Sequence, residues 1–121
     1  MSHEIEIFSE GDVVVARLRG DIDMTTTPAI SAHVLDALTP DVAGLLVDLS
    51  EIRYVDSAGV HLIFELARRL EAGRQGMALV VADASPVRRL LDITNVAQAV
   101  AICPAFDDGL SAVSTGARRS Y

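Results

Sequence analysis

The chain has 121 residues, 50% of them hydrophobic, and a formal charge of −7. That is enough apolar mass for one domain to build a core without disulfides or metal, while the acidity argues against nucleic acid and anionic membrane surfaces, which are bound through Lys and Arg. All 10 basic side chains are arginines, which excludes Schiff-base chemistry and a phosphate-binding P-loop lysine.

No apolar run approaches the ~20 residues of a membrane-spanning helix. The opening MSHEIEIFSE lacks the basic-then-apolar order of a signal peptide. The expectation is a soluble, cytoplasmic protein. Cys103 stands in VAICP and reads as a core residue rather than a reactive thiol.

In chain order, Glu4 to Phe8 alternates polar and apolar residues. A turn signal at Glu10-Gly11-Asp12 follows, then VVVARLRG to Gly20. This pattern predicts a β-hairpin with a more buried second strand. Thr25-Thr26-Thr27-Pro28 reads as a helix start, with Thr27 as cap and Pro28 at the first helical position. Ile30, His33, Val34, Ala37 and Leu38 extend that helix over about 28–38. Gly44 to Leu49 is almost wholly apolar, as in a strand covered on both faces. The segment after Ser50 reads as a charged connector, followed by a helix at about 57–71. Met77 to Val81 is a further apolar strand. Ser85-Pro86 caps a helix with Val87, Leu90 and Leu91 on one face, and Ala99 to Ile102 is a last short strand. Phe106, Leu110 and Val113 share a helical face, with Asp107 and Asp108 in the first turn; Gly109 counts against a helix there. The expected fold class is α/β, a mixed, mainly parallel sheet with helices packed on it in the order ββαβαβαβα. The expected domain spans 1–113, with a flexible tail at 114–121.

The stretch RYVDSAGVHLIFELARRL carries the candidate site. At roughly 100° per residue, Gly59, Leu62, Ile63, Leu66 and Leu70 form the stripe that faces the sheet. Ser57, His61, Phe64 and Arg68 fall on the other side, with Val60 nearby. A hydroxyl opening a helix is an ordinary cap, but one sharing a face with outward apolar residues also suits a partner surface. The residues alone leave both readings open. Enzyme readings fare worse. Gly-x-Ser-x-Gly is absent, and Asp56 is badly placed to orient His61 beside Ser57. The scattered His and single Cys lack metal-ligand spacing. No cofactor is expected.

VDLSEIRYVDSAG resembles the signature of the STAS domain, named for sulfate transporters and anti-sigma-factor antagonists. Gly20-Asp21-Ile22-Asp23 is similar to that family's Gly-Glu/Asp-x-Asp, and Ser85 to Leu91 to its third helix. The motifs fall in the family's order from about residue 4 to 113. The resemblance implies an anti-sigma factor antagonist that works by partner switching in transcription regulation, as in sporulation or stress responses. Its unphosphorylated form would bind an anti-sigma factor with Ser/Thr kinase activity and free the sigma factor. Phosphorylation would abolish binding, and a phosphatase would restore it. ATP and Mg²⁺ would belong to the kinase. Carried over, the phosphoacceptor is Ser57; the next position, often Ser in the family, is Ala58. The resemblance also places the Asp23 loop beside Ser57. The expected partner surface is therefore Asp23, Thr25, Asp56, Ser57, Val60, His61, Phe64 and Arg68. Thr26 and Thr27 read as capping residues before secondary phosphoacceptors. Arg53 reads equally as a partner contact or a solvated loop cation, and Arg88 and Arg89 as a solvated helix face. The alternative functions are a STAS subunit of a membrane transport ATPase and a scaffold component of a stress-signalling assembly. Oligomeric state stays open.

Overall fold

The computed structural model describes residues 4–118. Five strands, β1 (Glu4–Glu10), β2 (Val13–Ile22), β3 (Gly44–Val55), β4 (Gly76–Val80) and β5 (Ala101–Cys103), lie in the sheet in chain order. β1 and β2 form the antiparallel hairpin that the Gly11 turn predicts, and the other neighbours are parallel. Gly11 sits at φ +62, a conformation that costs other residues more. The helices are α1 (Thr27–Ala37), α2 (Ser57–Ala72), α3 (Pro86–Ile93) and α4 (Phe106–Arg118), with one 3₁₀ turn at Val96–Gln98. The α/β class, the mainly parallel sheet and the element order agree with the sequence reading. Among the described residues, no helix is long and apolar enough to cross a membrane.

Strand alternation sorts the core onto two faces. Val14, Ala16 and Leu18 of β2 and Leu45, Val47 and Leu49 of β3 pack with α1, α2 and α3. Val13, Val15, Leu46, Ala78 and Val80 pack on the opposite face with Val113 of α4. Cover on both sides explains why Gly44 to Leu49 is apolar apart from Asp48.

Four details depart from the sequence reading. β3 does not stop at Leu49. It runs to Val55, because residues 51–55 pair with β2 through two register shifts, between Arg17 and Arg19 and between Gly20 and Asp21. The shifts leave Ile52 and Val55 both buried, a spacing of three that breaks strand periodicity and makes the segment look like a connector. The last strand begins two positions late, at Ala101, because Val96–Gln98 winds into the 3₁₀ turn after Asn95 at φ +63. Gly109 does not interrupt α4 and lets it dock closely: a Cβ there would lie 2.6 Å from Leu46 Cδ1. Finally, α4 continues to Arg118, so 114–118 are helical rather than part of a tail; 119–121 lie outside the described residues. Cys103 is only half-buried. Burial pushes its thiol up, with the charge of Asp108 adding to the shift.

One polar cluster anchors the α4 face. Arg17 Nε lies 3.0 Å from Asp48 Oδ2, and its guanidinium stands 5.1 Å from the Phe8 ring and 5.7 Å from the Phe106 ring. It thus joins β1, β2, β3 and α4. Burial alone would raise the Asp48 carboxyl, but hydrogen bonds from Ser50 and the Arg17 guanidinium outweigh it and hold the group below its ordinary value. Because the folded value is depressed, the stabilisation is complete above the unfolded Asp value of about 3.9 and is lost as pH falls through the folded value. Arg17→Met leaves the Asp48 charge buried and is expected to cost about 2 kcal/mol at neutral pH. Urea melts at pH 7 and pH 3 check this: the difference between wild type and variant narrows in acid.

Candidate functional site

The site is built where β3 ends and α2 begins. Asp56, not Ser57, is the N-cap of α2: its backbone is extended, and Oδ1 accepts the Gly59 N–H at 3.1 Å. A carboxylate can reach back to the first-turn N–H groups and complements the helix dipole. Ser57 is therefore the first helical residue, and it is exposed. Its hydroxyl is spared the capping duty, one of the two readings that the residues alone leave open.

The other wall is the loop between β2 and α1. Asp23 Oδ1 accepts the Thr25 hydroxyl at 2.6 Å, the Thr25 N–H at 2.8 Å and the Thr26 N–H at 3.1 Å. These bonds, led by the Thr25 hydroxyl, hold the Asp23 carboxyl below its ordinary value. Thr26 is buried at 7% exposure. Its Oγ1 donates to the Asp21 carbonyl and accepts the Asp23 N–H. Neither Thr26 nor Thr27 acts as the expected side-chain cap. Thr26 occupies the N-cap position of α1 without a side-chain cap bond, because its hydroxyl is committed to the loop, and Thr27 is already helical. The loop meets α2 through one further bond, from the Met24 N–H to Asp56 Oδ2 at 3.3 Å. The structure thus brings Asp23, Thr25, Asp56 and Ser57 to one end of the sheet. Arg53, also at this end, lies 3.8 Å from Asp21 and is 73% exposed.

The outward face of α2 needs two corrections. Val60 is buried, at 9% exposure. Phe64 is half-buried and packs against the core, lining a cleft with Ala67, Arg68, Gln98 and Ala99. The predicted stripe was too narrow because α2 packs against the 3₁₀ turn as well as the sheet. Val60 and Phe64 are one helical turn apart and share that flank. Phe64→Ala is accordingly expected to lower stability by about 2 kcal/mol, read from the urea midpoint. His61 and Arg68 do face solvent. Both lie near Glu65, at 3.3 Å and 3.8 Å, and such exposed pairs contribute little. His61 also lines a shallow cleft of about 250 Å³ against α1, with Thr27, Pro28, Ser31, Ala58, Leu62 and Glu65. Arg68 lies eleven residues beyond Ser57, about 16 Å along the axis, and is not brought to the Ser57 end.

Sequence reasoning missed Met24, which is 72% exposed. The available signal was a lone thioether in a loop otherwise made of Asp and Thr.

The sequence profile described as the STAS domain matches residues 4–109. This chain belongs to the STAS domain family. Among similar proteins, the anti-sigma-F factor antagonist RsfB of Mycobacterium tuberculosis is 21% identical over 112 residues, covering 93% of this chain and 90% of RsfB. The crystal structure of an anti-sigma factor antagonist from Mycobacterium paratuberculosis superposes with a TM-score of 0.83 at 25% identity, covering 93% of this chain and 94% of that one. SpoIIAA, an anti-sigma factor antagonist solved in its unphosphorylated form, has the same fold, with a TM-score of 0.71 at 22% identity and coverage of 89% and 94%.

Proposed function

We propose that this STAS domain is a cytoplasmic anti-sigma factor antagonist, a binding protein rather than an enzyme. Its unphosphorylated form binds an anti-sigma factor Ser/Thr kinase and frees the sigma factor. Phosphorylation of Ser57 abolishes binding, and a Ser/Thr phosphatase reverses it. The observation that carries this reading is the exposed Ser57 at the first position of α2, beside the Asp23 loop, in a chain similar to antagonists over nearly its whole length.

The physics suits a switch. A phosphoserine adds about −1.5 to −2 charges, and a helix N-terminus favours an anion, so the fold survives. On the surface, the new charge stands beside Asp56 and near Asp23. A docking partner would have to desolvate it among like charges, which is costly without a waiting cation.

Incubation with candidate anti-sigma factor kinases and ATP, followed by mass spectrometry, tests the reading. The expected product carries one phosphate at Ser57, and Ser57→Ala carries none. Phosphate on another residue, or undiminished phosphate on the variant, contradicts the assignment.

A further inference from the structure

Met24 combines an exposed side chain with a restrained backbone. The side chain is 72% exposed, yet its N–H is held by Asp56 Oδ2 from 32 positions along the chain. The other oxygen of that carboxylate caps α2 through Gly59. The Asp56 N–H in turn donates to the Ile22 carbonyl at 3.1 Å. A cap needs one acceptor oxygen; the second joins the Asp23 loop to the start of α2.

We infer that Asp56 is a positioning residue for partner recognition, its two carboxylate oxygens fixing the Met24 loop against Ser57 so that thioether and hydroxyl meet the partner as one surface. The inference rests on the proposed function and deepens it. An unbranched, polarizable side chain adapts to an opposing apolar surface. Holding its backbone in place beforehand reduces the ordering cost of binding. The kinase would read Met24 as an apolar anchor beside the hydroxyl it modifies, so loss of the bracket raises KM rather than slowing transfer.

Asp56→Ser separates the two jobs of the carboxylate. Its hydroxyl still caps α2 but supplies no second oxygen for Met24. The variant is expected to melt near the wild type, while the Met24 amide exchanges about tenfold faster with solvent by NMR. With the anti-sigma factor kinase that modifies the wild type, KM for Ser57 phosphorylation is expected to rise about tenfold and kcat to change less than about twofold. Met24→Ala keeps the backbone bond, so it is expected to raise KM without faster exchange at position 24. Wild-type exchange at Met24 in Asp56→Ser overturns the bracket. An unchanged KM in both variants, with Met24 exchange faster in Asp56→Ser, overturns its role in recognition. A wild type that no anti-sigma factor kinase phosphorylates sinks the function reading and the recognition role with it, and Met24 exchange then decides the bracket alone.

Discussion

Ser57→Asp is expected to weaken binding to the anti-sigma factor kinase at least tenfold, about 1.4 kcal/mol or more, with thermal stability close to wild type. Stability is retained because the side chain is exposed and makes no cap bond that substitution would remove, since Asp56 holds the cap. A carboxylate in the first turn is, if anything, favoured by the helix dipole. Binding suffers because the added charge must be desolvated beside Asp56 and near the Asp23 loop. The carboxylate carries less charge than the −1.5 to −2 of a phosphate, so tenfold is a lower bound for the proposed switch. Calorimetric titration and thermal melts of the same samples check both halves. Unchanged affinity would count against a charge mechanism. Affinity and melting temperature lost together would mean that Ser57 supports the fold. Ser57→Ala provides the converse: it is expected to bind as the unmodified form does and to resist release by ATP.

The parts of the fold legible in the sequence are those where one local rule dominates. Gly44 to Leu49, apolar apart from Asp48, and the apolar run Met77 to Val81 are of strand length, and they mark the interior strands β3 and β4, the second of which ends one residue earlier, at Val80. Ser85-Pro86 pairs a cap with a proline, and the Ser85 hydroxyl does accept the Val87 N–H at 3.0 Å. Leu62, Ile63, Leu66 and Leu70 keep helical spacing and are buried. The end of β3 was illegible because its alternation is reset by pairing with β2, a contact made far away in sequence. Gly109 misled for a related reason: its low helix propensity is a local property, whereas its use is to bring α4 close to Leu46.

The site was legible in part. A helix start at Asp56-Ser57 follows from capping rules, but those rules do not decide between adjacent Asp and Ser, both of which cap well. In the structure, Asp56 takes the cap and leaves Ser57 exposed. Spacing could not place Asp23 beside Ser57, since nothing local links the two segments; the family resemblance did so, and the Met24 to Asp56 bond shows the loop and the helix start in contact. Val60 and Phe64 were misplaced because a helical wheel registers one packing partner, and α2 has several.

The largest expected loss of stability comes from Gly59, where fold and site share one contact. A Cβ at this position would lie 2.7 Å from Val55 Cγ1, 2.8 Å from Ile22 Cγ2 and 3.1 Å from the Ile22 carbonyl oxygen. Val55 and Ile22 are both buried, and the Ile22 carbonyl also accepts the Asp56 N–H. Neither side chain can swing into solvent, so the start of α2 must move away from β2 and β3. Gly59→Ala gains about 1 kcal/mol of helix propensity against up to about 3 of overpacking, for a net cost of about 2. Gly59→Val adds two methyl groups to the same gap and is β-branched within a helix, and is expected to cost about 4 kcal/mol or more. Urea unfolding of the two variants reads the series. In the alanine variant, which stays folded, partner affinity is also expected to fall, because a displaced α2 start carries Asp56 and Ser57 away from the Met24 loop. Gly59→Ala at wild-type stability would mean that α2 tolerates a wider gap at its first turn. Wild-type affinity despite lost stability would show that the partner does not depend on how Ser57 is set against that loop.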